Sequence, residues 1–502
     1  MRTLGVALCI TFSLAHCVSL ASAQPAAPPV INGHALAGFW HAASHTRVDV
    51  VDIGDSNQLF GGHGWDRGWT RALASRVGLY ASGLHSCGEN IGNSSGVGDG
   101  TSTVSTRSGG AFTYTGAPPF FEQHMNAAAA LNGPLSYLSL AEGSTASGSF
   151  STGMLIDSNS PIGITSRLRF HLSYGVFAGA GPGSFRPAVR LDVPPYTNFP
   201  IGSVVSTRGT EDAILHTAIE LPAGPRAGPL NFRLARANID TITGPFIAYY
   251  ARIENADRLS GAANHTLYAY GGRSARSMAQ FFRDFSDESL THFFREVRRT
   301  QGDRKPLLVR LHSALNDRNE TRPSIDAGIL PGNSGAAYAD NMQAIINRLR
   351  SLYASNGWDD ADLYFVITPS HPIAPADEPS LTPYRVAAEA LAAANPRTAA
   401  VHFDRLTTYE EMLTSGWYAT ILDRNHLTIA GYDRLGQREV DALLAAAGCP
   451  ADIDRDDDVD SDDVVQFFAT WEAGERPADA DADGDTDSDD IVEYFTAWDL
   501  GC

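Results

Sequence analysis

Apolar positions along the chain fall into three rhythms. Arg47-Val48-Asp49-Val50-Val51-Asp52-Ile53 reads as a strand that runs into the turn Gly54-Asp55-Ser56, and a helix is predicted over 66–77 with Trp69, Leu73 and Val77 on one face. The same beat resumes later. Strands are predicted over 306–312, 362–368 and 399–403, and helices over 337–353, 384–394 and 428–446. The longest of these helices carries Tyr338, Met342, Ile345, Ile346, Leu349 and Leu352 on a single stripe. Strands alternating with helices imply an α/β fold with a flavodoxin-like, doubly wound parallel sheet, whose ligands sit beyond the carboxyl ends of the strands. Ser56 and Asn316 each fall just past a predicted strand.

Between these stretches the pattern changes. Residues 82–116 are rich in Gly, Ser, Thr and Asn and read as a loop, and 143–263 alternate in short runs such as Arg167–Leu172 and Phe246–Tyr250, broken by Pro and Gly. Short strands with turn signals between them imply an all-β sandwich inserted into the α/β domain. The expected organisation is therefore a split α/β domain over 30–142 and 264–447, a β-rich module over 143–263, and a separate C-terminal module over 449–502.

Charge refines this picture. The net charge is −20, but the residues from Asp452 onward hold 19 acidic side chains against Arg455 and Arg476, a balance of −17, which leaves −3 for the rest. The acidity belongs to the tail, and no basic stripe suggests nucleic acid. Arg2, the apolar run Leu4–Leu20 and Ala21-Ser22-Ala23 form a secretory signal peptide over 1–23, so an exported protein, extracellular or associated with the cell surface, is expected. No later segment is long and apolar enough for a membrane helix. In an oxidising compartment Cys449 and Cys502, which bracket the tail, could form a disulfide, leaving Cys87 as an inert thiol.

Four short stretches carry candidate chemistry: Gly54-Asp55-Ser56-Asn57, Tyr270-Gly271-Gly272-Arg273, Ala314-Leu315-Asn316-Asp317 and Asp423-Arg424-Asn425-His426. A nucleophilic serine needs a base, the base an orienting carboxylate, and the developing oxyanion a set of donors. Asp423 and His426, three residues apart, have the spacing for a carboxylate to orient an imidazole; taken alone, they are equally a capping aspartate beside a surface histidine. Gly272 taken alone is equally a turn glycine at a strand end. In their order along the chain the four stretches resemble the sequence blocks of the SGNH (GDSL-type) hydrolases. The resemblance covers about residues 45–80 and 264–446. It implies catalysis by Ser56, Asp423 and His426, with an oxyanion hole from the N–H groups of Ser56 and Gly272 and the side chain of Asn316. Ala314 stands where the family usually has glycine. His63, His85, His312, His371 and His402 lack partners at metal-ligand spacing and are expected to be structural or surface histidines.

The acidic tail is a duplication. Asp452, Asp454, Asp456, Asp458, Asp460 and Asp463 are matched 27 residues later by Asp479, Asp481, Asp483, Asp485, Asp487 and Asp490. Oxygen ligands at positions 1, 3, 5, 7, 9 and 12 are the calcium-loop arrangement of EF-hands. Each loop is followed by an amphipathic segment, Val464–Trp471 and Ile491–Trp498, which a disordered acidic tail would not repeat. The short tandem repeat resembles dockerin modules. That resemblance implies structural Ca²⁺ and docking to a cohesin-like or cell-surface partner.

These features predict a secreted serine esterase that removes acyl, notably acetyl, groups from a carbohydrate. An O-acyltransferase of the same fold and a non-catalytic glycan-binding scaffold anchored by the tail are the competing expectations. No cofactor is expected for catalysis.

Overall fold

The computed structural model describes residues 27–55, 57, 68–81, 83 and 85–86, a set of strands between 104 and 156, most of 167–269, and 272–448 apart from 301–304, 327, 329 and 421–423; of the tail it describes 451–453, 459–473, 478, 480 and 486–500. The twelve-residue calcium loops are therefore described only at positions 452, 460, 463, 480, 487 and 490 and their near neighbours, and Cys87, Cys449 and Cys502 lie outside the described residues, as does the signal-peptide segment.

Six strands form the central sheet: β1 (Val30–Ile31), β2 (Arg47–Gly54), β3 (Ala262–Ala269), β4 (Leu307–Ser313), β5 (Leu363–Pro369) and β6 (Thr398–Val401). Their order is β1-β6-β5-β4-β2-β3; all neighbours are parallel except β1, which lies antiparallel to β6. Counted from β2, this is the 2-1-3-4-5 order of doubly wound sheets, and it reverses direction between β2 and β4. The crevice for a ligand opens at that reversal, beyond the carboxyl ends of those two strands. Ser56 follows β2 and Asn316 follows β4.

Side chains alternate along the strands between two apolar layers, as a sheet buried on both faces requires. Val51, Ile53, Leu307, Val309, Leu311, Phe365 and Ile367 face a core built with α3 (Ala275–Asp284), α4 (Asp287–Val297), α5 (Gly335–Ser355) and α6 (Thr382–Ala394). Val48, Val50, Leu308 and Val366 face the other core, with α1 (Ala37–His45), α2 (Gly68–Arg76) and α9 (Ile429–Ala447). Two short helices, α7 (Phe403–Leu406) and α8 (Tyr409–Thr414), lie between β6 and α9. The α2–α9 contact is close: a Cβ on Gly436 would meet the backbone of Gly68 at 2.4 Å. The sequence reading missed α3 and α4, although Ser274 and Ser286 cap them and Phe282, Phe285, Leu290 and Phe293 supply a buried stripe.

Among the described residues, the middle of the chain forms two further, largely antiparallel sheets of seven and nine strands. Leu168–Ala178 lies between Ala213–Leu221 and Phe246–Asn255. Strands at Val104–Arg107 and Thr113–Thr115 fall inside the stretch that composition marks as loop. Threonine, valine and tyrosine fit a pleated surface once a partner strand is present, which local composition does not reveal. This part is tied to the central sheet. Arg47 of β2 donates to Glu254 Oε1 at 2.6 Å and to the carbonyl of Asn255 at 3.0 Å, while Tyr249 and Tyr250 join the core that contains Phe293 and Phe294.

In the tail, α10 (Ser461–Glu472) and α11 (Ser488–Leu500) pack around Phe467 and Tyr494, whose rings stack with centroids 4.0 Å apart. The module touches α1: His45 Nε2 pairs with Glu493 Oε1 at 2.9 Å, and the His41 ring meets the carbonyl of Ala480. No described helix is long and apolar enough to cross a membrane.

Candidate active site

Of the residues proposed for catalysis, Gly272, Asn316 and His426 are described; Ser56 and Asp423 lie outside the described residues. The chain on either side of Ser56 is fixed. Asp55, fully buried, accepts the Asn57 N–H at 2.9 Å through Oδ1, a bond from an aspartate to the N–H two residues on. Its other oxygen accepts from Asn316 Nδ2 at 3.2 Å, and the same amide donates to the carbonyl of Arg273 at 3.0 Å. One side chain thus joins the end of β2, the loop after β4 and the turn at Gly272. Tyr432 of α9 donates to Asn57 Oδ1 at 3.1 Å and ties that residue to the helix.

Gly272 has φ +72°, a left-handed conformation that favours glycine, and a Cβ built there would have nothing within 4 Å. The side on which a Cβ would sit is open among the described residues. Ala314 has φ +128°, which costs an L-residue on the order of 1–3 kcal/mol. Glycine, the usual occupant in the resembling family, would adopt this conformation without that strain.

Asp317, next to Asn316, sets the spacing between the two loops. Its Oδ1 accepts the Ala275 N–H at the start of α3 at 2.9 Å, and its Oδ2 accepts from Ser313 Oγ. Burial raises its carboxyl from 3.8 to about 7 against the pull of these bonds, with the nearby Asp55 and Glu320 adding to the rise. Burial likewise raises Asp55 to about 6, against the hydrogen bonds from Asn57 and Asn316 and the charge of His426. The stability that Asp317 contributes is therefore full below the unfolded value of 3.8 and is lost as pH rises through about 7, because the native state holds the extra proton in between. Asp317→Asn keeps an acceptor but cannot ionise, so its stability relative to wild type should improve from about pH 4 to about pH 7 and level off above that. Parallel stability–pH curves for the two proteins, measured by denaturant unfolding, would refute this.

His426 is half-buried in the loop before α9, close enough to Asp55 for its charge to act on that carboxyl. The loop is held by the Ala419 N–H, which donates to the His426 carbonyl at 2.9 Å, and by the bridge between Tyr418 and Leu427. Below the site, Arg310 of β4 donates to both oxygens of Asp52 at 3.1 and 2.9 Å and to both oxygens of Glu439 at 2.8 and 2.6 Å. Trp69 Nε1 and Thr368 Oγ1 also donate to Glu439. This buried guanidinium links β2 and β4, which lead into Ser56 and Asn316, with α9, which follows the His426 loop. A buried charge set of this kind is tolerable because every member is paired. Sequence reading assigned no role to Asp55, Asn57, Arg310, Asp317 or Glu439. For Arg310 the local signal was a charge within an apolar strand, for Asp55, Asn57 and Asp317 their place inside the candidate stretches, and for Glu439 a charge on the predicted last helix.

Of the histidines set aside in the sequence, His312 and His371 line one small cavity with Asn57, Arg310 and Glu439, and burial pushes His312 well below 6.5. Neither joins a group able to hold a metal ion, and among the described residues there is no such group.

No protein-family model matches the chain, and no curated protein does. Among solved structures, a peptidoglycan O-acetylesterase is similar at 15% identity over 83% of this chain and 96% of its own, with a TM-score of 0.45. A carbohydrate esterase family 2 enzyme with a carbohydrate-binding domain, from Corynascus thermopiles (Myceliophthora fergusii), is similar at 14% identity over 67% of this chain and 99% of its own, with a TM-score of 0.27. A salicylyl-acyltransferase from a tetracycline biosynthetic pathway is similar at 13% identity over 68% of this chain and 96% of its own, with a TM-score of 0.27. At these scores the likenesses carry no argument about what this chain does, which rests on its own residues.

Proposed function

We propose that the chain is a serine esterase of the SGNH type, with Ser56 as nucleophile, His426 as base and Asp423 as the carboxylate that orients it. The observation that carries this reading is the Asn316 side chain, which holds the segment beside Ser56 and the turn at Gly272 together at the switch point of the sheet, with His426 alongside. Ser56 Oγ attacks the ester carbonyl while His426 takes its proton, and the alcohol leaves with that proton. Water then attacks the acyl-serine by the same route. The oxyanion is met by the N–H groups of Ser56 and Gly272 and by Asn316 Nδ2. In the free protein both N–H groups of Asn316 are engaged, and the longer bond, to Asp55, is the one shared with the oxyanion. The β-rich module and the dockerin-like tail make a carbohydrate the expected carrier of an acetyl group, and the signal-peptide pattern at 1–23 supports activity outside the cytoplasm.

The direct test is turnover of p-nitrophenyl acetate together with labelling of Ser56 by a fluorophosphonate. An intact protein that does neither would dispose of the proposal. Asn316→Ala should lower kcat by about 10²–10³. An unchanged kcat would remove Asn316 from the oxyanion hole, and a melting curve shows whether the fold survives the loss of its two bonds.

We further propose that the tail binds two calcium ions through Asp452, Asp454, Asp456, Asp458, Asp460 and Asp463 in one loop and Asp479, Asp481, Asp483, Asp485, Asp487 and Asp490 in the other, with Cys449 and Cys502 closing the module. The all-oxygen donor set suits Ca²⁺. The described ends of the loops support the fit. Asp463 Oδ2 accepts the Asp460 N–H at 2.9 Å and Asp490 Oδ2 accepts the Asp487 N–H at 2.7 Å, so the ninth and twelfth positions take the same arrangement in both repeats. A docking partner of the cohesin type remains part of this proposal through sequence resemblance.

A further inference from the structure

An open pocket of about 480 Å³ lies beside the His426 loop, on the same carboxyl-end rim of the sheet as Asp55 and Asn316. One wall follows β5 and includes Pro372, Pro375 and Glu378; the other surrounds α7 and includes Asp404, Thr408 and Tyr409. The walls are built into the loop that carries the histidine. Arg424, two residues before His426, donates to the Tyr409 hydroxyl and places its guanidinium 5.4 Å from that ring's centre. Tyr418, paired with Leu427, donates to the carbonyl of Pro372 at 2.8 Å.

The chemistry of the walls is selective. The pocket offers proline and tyrosine surfaces for a C–H face, and around them oxygen acceptors on Glu378, Asp404 and Thr408. Among the described lining residues none is basic. The buried Arg385 behind them is paired with Glu378 at 2.5 Å and Asp404 at 3.1 Å, so it holds these carboxylates in place and offsets their charge. Their side chains remain 28% and 33% exposed, which leaves them open to a ligand. A phosphate or uronate would find carboxylates and no basic side chain among the described lining residues. An aryl or acyl chain would desolvate the carboxylates without bonding to them. A sugar ring supplies what is required, several O–H donors around an apolar C–H face. The volume lies within the range of about 300–1,000 Å³ usual for small-ligand sites and exceeds what an acetyl group needs.

We propose that this Pro372–Tyr409 pocket is a subsite for a neutral pyranose ring of the carbohydrate that carries the ester. The assignment of the carbohydrate as ester carrier rests on the esterase reading, whereas the binding does not depend on turnover. The test is calorimetric titration of the full chain with three ester-free neutral hexasaccharides (xylohexaose, cellohexaose and N-acetylchitohexaose), with the glucosamine hexamer as a cationic arm and the galacturonate hexamer as an anionic one. At least one neutral hexamer should bind, and Tyr409→Ala and Asp404→Asn should each weaken it about tenfold. The Asp404→Asn change preserves shape, so it judges the pocket even where loss of the Tyr409 ring disturbs the loop. No binding by any neutral hexamer, equal binding by wild type and both variants, or binding of the charged hexamers alone would overturn the proposal. Failure to hydrolyse p-nitrophenyl acetate would defeat the esterase reading and leave the titration result standing.

Discussion

Ser56→Ala and His426→Ala are each expected to reduce ester hydrolysis by roughly 10⁴–10⁶-fold in kcat, with little change in melting temperature. Neither substitution removes a member of the buried Arg310 set or of the Asp55–Asn316 bond, so the scaffold should persist. The two losses should not add. Once the nucleophile is gone the base has no proton to take, and the double variant should fall no further than the worse single one. Asp423→Ala should cost less, because the loop contacts at Ala419 and Leu427 still place the imidazole. Wild-type turnover by Ser56→Ala would end the assignment. Additive losses in the double variant would show that the two residues do not act on one step.

Removal of calcium is expected to unfold the tail while the α/β body stays intact. Eight aspartates lie within 452–463 and seven within 479–490, and without cations their repulsion opposes compaction. Against it stands a small core of Ala451, Phe467, Ala478 and Tyr494, with partly buried neighbours such as Val464 and Ile491. Binding and folding should therefore be coupled. Hydrogen exchange of the full chain with and without EDTA measures this: amides of α10 and α11 should lose protection, and those of β2 and β4 should keep it. Identical exchange in the tail under both conditions would exclude structural calcium. Asp490→Asn should weaken calcium binding more than Asp489→Asn. Asp490 is buried at the twelfth position, whereas Asp489 is exposed and contributes its backbone N–H to Asp487. Asparagine at 490 can still accept the Asp487 N–H, so the comparison isolates the lost charge from the lost helix cap.

The strands and helices of the parallel sheet were legible because local pattern is enough to specify them. β2, β4 and β5 lie within one residue of the predicted spans, and α5 and α9 within two. Burial on both faces makes each strand a continuous apolar run, and the helices between them keep a 3.6-residue stripe. α3 and α4 were missed although they carry such stripes and serine caps. Strands at 104–107 and 113–115 were missed for a different reason: their hydrogen bonds go to 150–153 and 137–140, and composition near a strand does not report its partner.

By itself the sequence determined which residue types were available to the candidate site, their order, the duplicated acidic repeat and the alternation that makes the sheet. Only the tertiary structure decided the 2-1-3-4-5 order that sets β2 beside β4, the Asn316 bonds to Asp55 and Arg273, and the Arg310 bridge from Asp52 to Glu439. The physical reason lies in range. Helix and strand periodicity are written within about ten neighbouring residues, whereas Asp55 and Asn316 lie 261 positions apart and Asp52 and Arg310 258. A buried carboxylate or guanidinium shows in sequence only as a charge in an apolar run; the partner that makes its burial tolerable is chosen by the fold.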